Sequence, residues 1–99
     1  MEKAVSKVVS QVTLDEIAGL TSDLIRIPSH WDVPTKEIEM VEAVADFLTK
    51  ENIPFSLQLV EGKRNNIIAT IPGSGGGKSL ALSGHLDTVP PYNMEVDPF

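Results

Sequence analysis

The stretch Ser79 to Pro91, SLALSGHLDTVPP, constrains this chain more than any other. It opens on a short apolar run, Leu80-Ala81-Leu82, which predicts a buried strand. The run halts at Ser83-Gly84 and delivers His85 and Asp87 at the strand's end, before Val89-Pro90-Pro91 stiffens the exit. A spacing of two places both side chains on one face of an extended segment. Imidazole is a ligand suited to zinc or cobalt, and a neighbouring carboxylate can accept its second N–H, fixing tautomer and ring orientation. Gly84 allows a close approach of other groups to the backbone. The same spacing also describes a surface pair, or a strand-end histidine satisfied by its neighbour. No further histidine, cysteine or carboxylate stands at ligand spacing nearby, and one His with one Asp cannot close a zinc site.

Upstream, Met1 to Val12 reads as a frayed or weakly helical lead-in. Thr13-Leu14-Asp15-Glu16 fits a capping box, and Leu14, Ile17, Ala18, in part Thr21, Leu24 and Ile25 recur as the apolar stripe of a helix. Pro28 disfavours helix at Ile27, so this helix is expected over Leu14 to Ile27. In the connector that follows, His30 and Trp31 read as a loop histidine and an aromatic sealing the helix pair, with a ligand or stacking role as the alternative. Thr35 offers an N-cap to a second helix striped by Ile38, Val41, Val44, Ala45 and Leu48. That helix is expected to end around Lys50 to Asn52, ahead of Pro54. Glu37, Glu39, Glu42, Asp46 and Glu51 read as its solvated face.

The period then changes. Phe55, Leu57 and Leu59 alternate with polar positions, as in a half-buried strand. Glu61 to Asn65 reads as a turn in which Gly62 supplies positive φ. Ile67, Ile68, Ala69 and Ile71 show little alternation and predict a strand buried on both faces. The loop PGSGGGKS resembles a phosphate-binding loop only superficially. Pro72 stands where the first glycine belongs, and a strand rather than a helix follows Lys78. The expected order is helix, helix, strand, strand, strand, an α/β arrangement with helices covering a sheet.

Bulk properties narrow the function classes. Ninety-nine residues make at most one domain. Eight basic against 14 acidic residues give a net charge of −6, with no basic stripe to displace counterions from nucleic acid. Cysteine is absent, which rules out a disulfide framework or a thiolate zinc site. The N-terminus lacks the apolar core of a signal peptide, and no run approaches the ~18 apolar residues that would suggest a membrane span. A cytoplasmic protein is expected, with neither a nucleic-acid nor a membrane partner.

Taken together, LALSGHLDTVPP, the strings LIRIPS (Leu24 to Ser29) and NNIIATIPG (Asn65 to Gly73), and the phrase VDPF (Val96 to Phe99) resemble the start of the zinc-dependent aminoacylase and carboxypeptidase family. That family includes acetylornithine deacetylase, succinyl-diaminopimelate desuccinylase, glutamate carboxypeptidases and di- and tripeptidases. The resemblance implies that residues 1–99 form the N-terminal portion of a three-layer α/β/α catalytic domain, incomplete as it stands. It implies a hydrolase acting on the amide bond of an N-acyl amino acid or short peptide, with two divalent ions, zinc or alternatively cobalt, and a homodimeric complete enzyme. His85 matches a metal ligand, and Asp87 matches the catalytic-site carboxylate that orients it. The family's bridging aspartate, paired glutamates and late histidine have no counterpart here, and Asp97 does not substitute for them. A truncated, non-catalytic remnant that associates with another chain is the alternative.

Overall fold

Three helices precede a two-stranded antiparallel sheet in the computed structural model, which describes residues 1–99. Helix α1 (Glu2–Val9) occupies what the sequence suggests is a lead-in. Val5, Val8, Val9 and Val12 fall at helical spacing, and Glu2 and Lys7 stand at the ends where each sign of charge favours the helix dipole. None of its residues is buried.

Helix α2 (Leu14–Ile25) starts at the expected cap. The Glu16 backbone N–H donates to Thr13 Oγ1 at 3.1 Å, and the Thr13 N–H donates to the Glu16 carboxylate at 3.0 Å. The helix ends two residues before Ile27, with Arg26 as its C-cap. Helix α3 (Ile38–Lys50) begins later than Thr35 would place it, with Glu37 in the cap position. Lys36 has φ 49°, a left-handed conformation that cannot continue helical bonding, so the helix starts only beyond it. At the other end Asn52 takes φ 57°. The Asn52 N–H donates to the Thr49 carbonyl and the Ile53 N–H to the Leu48 carbonyl, the paired bonds of a Schellman ending.

Strands β1 (Phe55–Glu61) and β2 (Arg64–Ala69) pair antiparallel with Phe55 opposite Ala69 and Leu57 opposite Ile67. Gly62, at φ 58°, opens the two-residue loop between them, where the mirror-image hairpin turns need positive φ. The register shifts between Leu59 and Glu61. Helix α3 lies against β2. Burial departs from the sequence-based expectation on both strands: Leu57 is 50% and Ile68 48% exposed.

The expected third strand is not formed. Residues 79–87 take no regular secondary structure and are hydrogen-bonded to no neighbouring strand, and Leu80 and Leu82 stand 84% and 89% exposed. A strand is defined by a paired neighbour, and β2 bonds only to β1. The order is therefore helix, helix, helix, strand, strand. Four residues are buried: Ser29, Met40, Val41 and Pro90.

Candidate functional site

Two segments far apart in sequence meet at the candidate site. Beyond Pro28 the chain leaves α2 extended, and His30 forms an isolated parallel bridge with Thr88. Ser29 is wholly buried, and its Oγ lies 3.4 Å from Thr88 Oγ1. Pro90, also buried, fixes the chain two residues further on. The segment carrying His85 and Asp87 is thus anchored from its C-terminal side.

His85 and Asp87 meet as their spacing implies. Nδ1 of His85 lies 2.7 Å from the Asp87 backbone carbonyl and 3.1 Å from its carboxylate Oδ1. Both oxygens accept, so Nδ1 is the nitrogen that carries the proton, which in the neutral ring leaves the lone pair on Nε2. This is the arrangement in which a histidine ligates a metal through Nε2 while its other ring nitrogen is held by a carboxylate or carbonyl. The imidazole is 83% exposed and Asp87 63%, so Nε2 is open to a ligand.

A groove of about 1380 Å³ is lined by β2 and by the run that leads to this pair. Glu37 and Arg64 line it together with His85 and Asp87. Arg64 Nε donates to Glu37 Oε1 at 2.6 Å and its other arm to Glu61 at 3.1 Å. The hydrogen bond from Arg64 holds the Glu37 carboxyl below the ordinary glutamate range, against the opposing pull of burial and of the negative Asp87. The same hydrogen bond raises Arg64. Glu37 therefore does not belong to the solvated face of α3, since its side chain is only 15% exposed.

His30 is more than a loop histidine. Its side chain is 12% exposed, its Nδ1 is bonded to Asp32, and its ring stacks on Phe99 with centroids 5.8 Å apart. Trp31 seals nothing: it is 67% exposed, with the Lys36 ammonium donating to its carbonyl. Of the site's parts, Ser29, Thr88, Glu37 and Arg64 escape sequence reasoning. The string LIRIPS contains Ser29, but no local pattern indicates a partner 59 positions away.

Toward a divalent metal the chain supplies a single candidate donor at this place, short of a site. His85 offers a free Nε2 with the right support, but no three His, Cys, Asp or Glu side chains come together in a way that could hold an ion.

Comparison with known proteins finds partial relatives. A probable carboxypeptidase of Emericella nidulans is 37% identical over 76 residues, 75% of this chain and 17% of that protein. Probable succinyl-diaminopimelate desuccinylases of two Staphylococcus epidermidis strains are 34% identical over 70 residues, 71% of this chain and 16% of theirs. The chain resembles the aminoacylase and carboxypeptidase family. The relatives' names are those of a peptidase and deacylase group of hydrolases. This chain spans about a sixth of the length of the curated relatives it matches. No family model matches it, and no solved structure does. No helix is long and apolar enough to cross a membrane.

Proposed function

We propose that the chain carries the first metal motif of a hydrolase that cleaves the amide bond of N-acyl amino acids or short peptides. The observation that carries this reading is the His85–Asp87 geometry, a supported imidazole with Nε2 free. The names of the relatives add the reaction class. His85 would be a ligand of the metal, zinc foremost with cobalt also suited. Asp87 would orient the ring and raise its basicity. A bound divalent ion supplies Lewis acidity and a water of lowered pKa at such sites. The remaining ligands and the general base would come from outside these 99 residues, in a complete three-layer α/β/α enzyme that pairs with a second copy and works in the cytoplasm.

The test is His85→Ala in that complete enzyme, with metal content measured by elemental analysis beside hydrolysis of N-acyl amino acids. Loss of about one metal equivalent with near-complete loss of turnover is expected, because a catalytic site has only about three protein ligands to lose. A variant that keeps all its metal and most of its rate defeats the reading. The second reading, a truncated remnant, draws on the lack of any cluster of three ligand side chains here. An early stop codon after Phe99 in the coding DNA would favour it, and an in-frame continuation with further acidic and histidine motifs would remove it.

A further inference from the structure

We propose that Ser29 and Thr88 form a clasp that positions Asp87, and through it holds the His85 imidazole with Nε2 free. Ser29 is the one fully buried side chain in the molecule, and it is polar. Buried hydroxyls are almost always hydrogen-bonded, and the partner of this one is Thr88 Oγ1, at 3.4 Å a long and hence weak bond. No buried side-chain polar atom is left without a partner. The backbone joins at the same point, through the His30–Thr88 bridge.

Thr88 directly follows Asp87, whose carbonyl and carboxylate both receive the His85 Nδ1 proton. Fixing Thr88 therefore fixes the peptide unit that presents the Asp87 carbonyl to the ring. The neighbouring groups on the upstream side give no such support. Residues 79–86 pair with nothing, and Leu80, Leu82 and His85 are all strongly exposed. The clasp is thus the hold closest in sequence to the pair, and Ser29 is a positioning residue acting through Thr88 and Asp87.

The consequence for catalysis rests on His85 being a metal ligand, whereas the geometry does not, and the experiment separates the two. The 99-residue chain with ¹⁵N-labelled histidine is compared with Ser29→Ala, Thr88→Val and Thr88→Ser, reading the tautomer of His85 by NMR at a pH where the ring is neutral. Thr88→Val keeps the volume and loses the hydroxyl, and Thr88→Ser does the reverse. The ratio of the Nδ1–H to the Nε2–H form is expected to fall in Ser29→Ala and Thr88→Val, by at most about fivefold, the scale of one net hydrogen bond, and to hold in Thr88→Ser. A ratio unchanged in Thr88→Val, or lowered as much in Thr88→Ser, overturns the clasp. Because Thr88 is exposed, that pair of variants decides the matter even if Ser29→Ala fails to fold. Adding zinc to the unaltered chain and following the His85 Nε2 resonance tests the ligand reading on its own. Because these 99 residues supply one ligand and bind weakly, zinc is added in large excess; an Nε2 signal still indifferent would count against the ligand role and leave the clasp standing.

Discussion

At the scale of single residues, the site divides labour within Asp87. Its backbone carbonyl is the nearer partner of the His85 ring, at 2.7 Å, and its carboxylate the farther, at 3.1 Å. The carbonyl is enough to fix the tautomer; with His85 a metal ligand, as proposed, the carboxylate would add charge and hence ligand basicity. Asp87→Asn leaves the carbonyl in place and gives the side chain an amide oxygen that still accepts. In the complete enzyme we expect this variant to keep the Nδ1–H tautomer while losing about 10–100-fold in metal affinity or turnover, the usual cost of disturbing a ligand's supporting partner. Metal titration beside steady-state kinetics measures it. Unchanged affinity and rate would mean that the carbonyl alone supports the ring and that the carboxylate is dispensable.

At the scale of elements, what the sequence made legible is what is decided locally. The capping box joins Thr13 and Glu16 within one turn, and the end of α3 is written in Asn52 and Pro54 beside the last carbonyls. The β1–β2 hairpin is legible because Gly62 stands between two β-rich runs. The His85–Asp87 contact, two residues apart, belongs to the same class. The third strand fails for the complementary reason, since Leu80 to Leu82 have the composition of a strand but a strand needs a partner edge. Thr35 offers a cap, but the left-handed Lys36 moves the start of the helix beyond it. The Glu37–Arg64 pair joins the start of α3 to β2 across 27 positions, and nothing local marks it.

That pair makes a pH prediction. Glu37 titrates below its ordinary value because Arg64 bonds the ionised carboxylate. A carboxylate depressed on folding contributes stability that is fully present above its unfolded pKa, about 4.3, and lost as pH falls through the lowered folded value. Glu37→Gln removes this contribution. Denaturant midpoints followed downward from neutrality should therefore fall more steeply in the unaltered chain than in Glu37→Gln at pH values below about 4.3, with the two converging in strong acid. The difference should shrink in high salt, because Arg64 is 38% exposed and exposed pairs are screened. Parallel curves through the acid range would show that the ion pair contributes nothing to folding.

At the scale of the whole molecule, the surface is too large for a closed domain. The chain exposes 8574 Å², whereas a folded monomer of 10.7 kDa is expected to expose about 5500 Å². Its radius of gyration is 16.4 Å, against about 13 Å for a compact domain of 100 residues. The excess, roughly 3000 Å², exceeds the total area of a standard protein–protein interface. It includes the unpaired edge of β2 and the exposed Leu80, Leu82 and Ile71 beside it, and such edges are templates for pairing with other chains. The 99 residues alone should therefore self-associate at micromolar concentration. They should also fail to hydrolyse N-acyl amino acids, and bind zinc only as weakly as a lone histidine with a nearby carboxylate, since a catalytic site needs about three protein ligands and no such cluster is present. Light scattering over a concentration series reads the first expectation; zinc calorimetry and an amide-hydrolysis assay read the others. A monomer that binds one zinc tightly and turns over an N-acyl amino acid would overturn all three, because it would require a closed site that this arrangement of His85, Asp87 and their neighbours does not provide.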